Sequence, residues 1–262
     1  MVIDYGVRQF FPPPKGFFSL GWLFGALVVA LTLLPWHDLL AEKLAYSDDF
    51  KGPSKIISER ETAPKFSKWW VRGGPVKAGN GKLTVDGAAS ANETIRIQMP
   101  PLKNYEVIRV VVRLRSSGSE PDSHISFGFV PGLTEDPLTT AALWTIDRSD
   151  SFAVMYSAGP GTQNQIVGQS WFDGFARDQT QETEHVIEYH LKTGRVTVSI
   201  ENNGNQRTLI SDSPVNWNGQ PGQPIPIENF AFFAINFYQQ QPTEKGAEAA
   251  YVKSIQLTLS DH

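Results

Sequence analysis

From residue 91 onward, apolar side chains recur at every second position. Ile95, Ile97 and Met99 alternate with Arg96 and Gln98, and Ile108, Val110, Val112 and Leu114 alternate with Arg109, Val111, Arg113 and Arg115. The same period runs through Ile125, Phe127 and Phe129, through Ile187, Tyr189 and Leu191, through Val196, Val198 and Ile200, and through Ile255, Leu257 and Leu259. Successive side chains of a strand point to opposite faces, so each run predicts a strand with one dry face and one wet face. After Leu44 no stretch holds a helical period for more than a turn or two, and Pro137–Trp144 is the single short helix predicted. Thr193-Gly194 and Asn203-Gly204 separate alternating runs and carry the residue types that close tight hairpins. Strands with one dry face each must pair into two packed layers, since one open sheet would leave that face in water. The predicted fold class is all-β, an antiparallel two-sheet β-sandwich, and Asn216–Pro226 reads as a surface loop inside it.

The beginning of the chain follows another rule. Phe17–Leu34 is a run of 18 residues without a charge, which at about 1.5 Å per residue nearly crosses a hydrocarbon core of ~30 Å. Arg8 and Lys15 precede it, while Asp38, Glu42, Asp48 and Asp49 follow it with only Lys43 among them. The basic flank stays in the cytoplasm, so the bulk of the chain is expected outside it. The division predicted is 1–16 as a cytoplasmic segment, 17–35 as a transmembrane or signal-anchor helix, 36–45 as a linker and 46–262 as the sandwich. Leu39 and Ala41 form a mediocre signal-peptidase site; an uncleaved anchor is favoured, and cleavage would give a secreted domain instead.

Composition narrows the partners. Lys and Arg number 23 against 27 Asp and Glu, a formal net charge of −4, which has the wrong sign for binding a phosphate backbone, so no nucleic acid is expected. The chain has no cysteine, which excludes disulfides, thiolate metal sites and a cysteine nucleophile.

Several segments in order carry a resemblance: Asp48-Asp49-Phe50, then Phe66 and Trp69-Trp70, then Gly81-Lys82-Leu83-Thr84-Val85, the hairpin His185–Gly204, and a final strand Ala250–Leu259 that would return to pair near the first. Over residues 46–262 this order resembles the concanavalin A-like lectin and glucanase superfamily, the jelly-roll sandwich that includes laminin G-like modules. The resemblance implies a carbohydrate-binding or carbohydrate-cleaving domain, and such folds host many functions. It also implies a structural calcium between acids near the two ends of the domain, for which Asp48, Asp49 and Asp261 are the candidates. The Glu-x-Asp-x-x-Glu motif of the laminarinase-like hydrolases is missing; Glu182 with Glu184 and Glu59 with Glu61 are the nearest pairs and read as solvated acids. The reading therefore leans away from an enzyme.

Sugars stack on aromatic faces while neighbouring polar groups fix their orientation. Trp171, Asp173 and Arg177 combine both in one loop, and on the strand Phe230–Tyr238 the residues Asn236 and Tyr238 share the face opposite Phe233, Ile235 and Phe237. With Trp144 these are the candidate ligand-binding residues. The competing reading is that Trp69, Trp144, Trp171 and Phe232 fill the core. His124, His185 and His190 read as surface histidines, and Arg109, Arg113 and Arg115 as a basic stripe on a solvated edge rather than an anion site. The function expected is non-catalytic binding of a polysaccharide or cell-envelope glycan by a membrane-tethered extracytoplasmic domain. A glycan-active hydrolase or lyase with carboxylates from separate strands, and an adhesive protein-interaction module, are the alternatives.

Overall fold

Each alternating run named above forms a strand. A computed structural model describes residues 42–59, 69–74, 76–85, 91–116, 124–133, 141–148, 151–157, 164–171, 178, 180–215, 217, 222–239 and 250–261, with the backbone alone for 59, 91–92, 151–157, 164–171 and 239. The chain divides into two units, Met1–Leu39 and Leu40–His262. The first, with the predicted membrane helix at 17–35, lies outside the described residues.

Two antiparallel sheets make up the second unit. The nine-stranded sheet runs β14 (Asn205–Pro214), β13 (Arg195–Asn202), β12 (Thr183–His190), β7 (Val107–Arg115), β16 (Tyr251–Ser260), β5 (Lys82–Thr84), β4 (Lys77–Gly79) and β2 (Lys55–Ile56), with β1 (Lys43–Asp48) also paired to β16. The seven-stranded sheet runs β11 (Asn164–Trp171), β10 (Ser151–Ser157), β9 (Leu143–Arg148), β8 (His124–Val130), β15 (Phe232–Gln239), β6 (Ala91–Gln98) and β3 (Trp69–Arg72). Among the described residues no helix is long and apolar enough to cross a membrane.

Strand alternation places the core between the sheets. Ile108, Val110, Val112 and Leu114 of β7 face Phe127 and Phe129 of β8 and Phe233, Ile235 and Phe237 of β15 in one buried cluster, whose apolar area removed from water stabilises the fold at ~25 cal/mol per Å². Both predicted hairpins form, β12–β13 and β13–β14, and Asn203 and Gly204 take φ of 51° and 77°, the left-handed pair that a tight hairpin turn requires.

The predicted helix at 137–144 is corrected in part: Leu143 and Trp144 open strand β9, while 137–140 lie outside the described residues. The segment read as a surface loop also reaches inward, since Trp217 and Ile225 are buried. Apolar residues inside a Gly- and Pro-rich stretch were masked by its turn composition. β7 is no solvated edge either, because β12 and β16 flank it on both sides.

Candidate functional site

The outer face of the seven-stranded sheet presents residues in rows set by the ladder. One row reads Trp70, Arg96, Ala234, Gly128 and Trp144 across β3, β6, β15, β8 and β9. The next reads Arg72, Thr94, Asn236, Ser126 and Ile146, and after it Tyr238, His124 and Arg148 stand side by side. As alternation predicts, Phe233, Ile235 and Phe237 turn inward, while Phe232, Asn236 and Tyr238 turn outward and stay partly accessible.

The rows differ in what they offer a ligand. Trp144 is 1% exposed and packs with Val130, Ala141 and Ala234, with Ile146 and Phe232 alongside; as placed, it forms the floor of the face and shows no ring surface for stacking. Its indole N–H has no hydrogen-bond partner among the described residues. Gly128 sits beside it in the ladder, where an added Cβ would lie 1.8 Å from the Leu143 carbonyl oxygen, so the strands can approach this closely only at glycine. Arg96 is also buried, and its Nη1 donates to the Gly132 carbonyl at 2.6 Å, fixing the chain beyond β8 against the sheet. Its position among polar alternates gave no sign of that burial.

Above this floor lie the accessible groups. Trp70 meets Phe232 edge-on at 5.9 Å, and His124 stacks on Tyr238 at 4.9 Å. The Thr94 hydroxyl donates to Asn236 Oδ1 at 2.8 Å, which holds the amide in place and leaves its NH2 as a donor. Aromatic edges, an amide, an imidazole and the guanidinium of Arg72 thus share one accessible face, a combination suited to the C–H faces and hydroxyls of a sugar. Trp171 lies in β11 with its backbone alone described, and Asp173 and Arg177 lie outside the described residues.

The calcium candidates do not converge. β1 and β16 run antiparallel with Asp48 opposite Ile255; Asp261 lies six residues further on, just past the end of β16, about 20 Å away at ~3.3 Å per residue. The acids near β1 are otherwise engaged. Asp48 Oδ1 accepts the Phe50 N–H at 2.7 Å, and Asp49 pairs with Lys51 at 2.5 Å, a contact that draws the Asp49 carboxyl below its ordinary pKa. No group of three metal-binding side chains occurs among the described residues, so Asp48, Asp49 and Asp261 do not fit a shared calcium.

The histidine reading needs correction at one position. His185 is fully buried between the sheets, with its Nε2 2.5 Å from Asp147 Oδ2, and the Ser116 hydroxyl donates to Asp147 Oδ1 at 2.5 Å. Serine here bonds the carboxylate and not the imidazole, so the trio is not a nucleophile with its base. It links β12 and the end of β7 in one sheet to β9 in the other. His190 stays accessible on β12, 3.5 Å from Glu188. Glu182, read as solvated, carries an ion pair to Arg113 Nε at 3.1 Å and accepts from the Tyr251 hydroxyl.

Comparison with known protein families and with curated protein sequences finds no match. Solved structures do match. The exoplasmic/lumenal domain of VIP36 in its Ca2+-bound form is 14% identical, covering 78% of this chain and 88% of that one with a TM-score of 0.50. Lectin II from Ulex europaeus is 11% identical over 84% of this chain and 100% of its own, with a TM-score of 0.50. A legume lectin-like domain from Entamoeba histolytica is 9% identical over 72% and 88%, again at 0.50. The chain therefore has the legume-lectin-like, concanavalin A-like β-sandwich fold.

Proposed function

We propose that the protein is a non-catalytic carbohydrate-binding domain whose ligand lies on the outer face of the seven-stranded sheet. The observation that carries this reading is the accessible set Trp70, Arg72, His124, Asn236 and Tyr238, in which aromatic and polar groups stand in adjacent rows. The fold adds support, since the structures it resembles include a VIP36 domain bound to Ca2+ and Man2 and the Ulex lectin complexed with galactose. Calcium for this chain would need oxygen ligands other than the set Asp48, Asp49 and Asp261.

The test is a screen of the full chain against a panel of polysaccharides and oligosaccharides, followed by calorimetric titration of the best ligand. Tyr238→Ala is expected to weaken binding by about tenfold, the loss of roughly one stacking contact, with the thermal midpoint little changed because the ring is partly accessible. Trp171→Ala separates the two readings of that residue. Weakened binding with an unchanged midpoint makes it a platform, whereas a large loss of stability places it in the core. Release of reducing ends during the screen would replace the binding reading with the hydrolase one.

A further inference from the structure

Arg113 does not sit on a bare surface. On the outer side of the nine-stranded sheet it borders a hollow of about 640 Å³ lined also by Asp49, Lys51, Asn80, Lys253 and Ser254. That volume falls within the roughly 300–1,000 Å³ of small-molecule sites. We propose that this hollow binds a tetrahedral oxyanion, a phosphate or sulfate group, either free or as the ester of a small sugar. The site lies on the opposite sheet from the carbohydrate face and stands independently of that reading.

The backbone builds the hollow before any ligand arrives. Asp48 and the buried ring of Phe50 fix the loop after β1, which is clipped to the β4–β5 turn by Asn80 N–H to Gly52 O at 2.8 Å and Gly81 N–H to Phe50 O at 2.9 Å. Phe50, Gly52, Asn80 and Gly81 all take positive φ, so both walls are committed left-handed turns. The third wall is a bulge. The β16–β7 register shifts between Val252 and Ser254, which leaves Lys253 as the extra residue and sets Ser254 opposite Arg113; bulges of this kind re-aim one side chain out of the ladder. The Lys253 ammonium lies over Gly81, where an added Cβ would stand 3.1 Å from Nζ.

The charges then decide the ligand. Of the acids nearby, Asp49 is matched by Lys51 and Glu182 by Arg113 Nε, while Glu184 stands opposite Arg113 in the β12–β7 ladder. Among the described residues Lys253 has no acidic partner, and Glu182 meets Arg113 at Nε. An ammonium with three donors, the terminal N–H groups of a guanidinium, the Ser254 hydroxyl and the Asn80 amide together surround the space with donors, the arrangement that an oxyanion rewards with short charge-assisted hydrogen bonds.

Titration of the full chain with inorganic phosphate, inorganic sulfate, glucose 6-phosphate and neutral glucose tests this. Saturable binding of the anions, weakening as sodium chloride is raised, and none of glucose, is the expected result. Glucose 6-phosphate binding more tightly than phosphate identifies the ester as the preferred source, and the reverse order identifies the free ion. Lys253→Gln is expected to lower affinity tenfold or more, on the order of one charged hydrogen bond, and Lys253→Arg to retain most of it. Lys103→Gln removes the same charge from an exposed lysine ahead of the other end of β7 and should change nothing. No saturable anion binding, or equal losses in Lys253→Gln and Lys103→Gln, would overturn the proposal. Because Lys253 has no acidic partner among the described residues, an unchanged thermal midpoint in Lys253→Gln checks that the loss is local.

Discussion

Asp147 and His185 meet in the driest part of the molecule, both wholly shielded from water. A buried carboxyl–imidazole pair in such a place is stabilising only relative to its own half-broken forms, because each polar group alone is left without compensation for lost hydration. Asp147→Ala and His185→Ala should each cost about 3–5 kcal/mol in urea unfolding. The joint replacement Asp147→Leu with His185→Leu should recover most of that cost, so a strongly negative coupling in the cycle is the expected outcome. Additive losses would show that the residues act through packing alone, with Phe127, whose ring lies 5.8 Å from the imidazole. Nothing in the sequence marks this pair. The sequence reading places His185 at the surface and does not single out Asp147, because the partner of each lies in the opposite sheet and far along the chain, where a local pattern carries no information.

Strands were the most legible level, since period two is a property of a few consecutive residues and needs no knowledge of the fold. What alternation cannot report is whether a wet face is later covered, and that is where Trp144 and Arg96 departed from expectation. It also cannot foresee connections that dock by a single contact. Tyr189 of β12 shows how one works: its hydroxyl oxygen accepts the Ile225 N–H at 2.9 Å and its ring stacks on Phe230 at 5.2 Å, pinning the stretch that leads into β15. Burial pushes the Tyr189 phenol up to about 12. The unfolded chain ionises near 10, so this residue's contribution is fully present below about pH 10 and is lost as pH climbs towards about 12. The total is on the order of 3 kcal/mol. Tyr189→Phe should flatten that alkaline decline while lowering stability by about 1–3 kcal/mol at neutral pH, because the Ile225 N–H loses its acceptor. Denaturant melts at several pH values between 8 and 12 would reveal both effects.

At the scale of the molecule, two chemically different surfaces back onto one core. One sheet offers rings and an amide, and the other offers a donor-lined hollow. We propose in addition that residues 17–35 tether this sandwich to a membrane, on the strength of their uncharged run and the basic residues before it. Full-length chain should then stay with membranes washed in alkaline carbonate. A soluble species beginning near Glu42 would establish cleavage and a secreted domain, and release of the full-length chain would remove the membrane role. The two-layer architecture was readable because a sheet with one apolar face has few ways to hide it. The candidates Asp173 and Arg177 lie outside the described residues.

β16 occupies a singular place, bordered on one side by β7 and on the other by β5 and β1 in succession. Three strands made early in synthesis therefore wait for one that emerges more than a hundred residues later, with Val107 finding its partner only when Ser260 has been made. Until then the interior strand β7 has an open flank, and the hollow beside Arg113 has no third wall. Joining segments so distant in sequence is entropically slow, so the nine-stranded sheet closes last, and the incomplete chain is the form most exposed to wrong pairing along that flank.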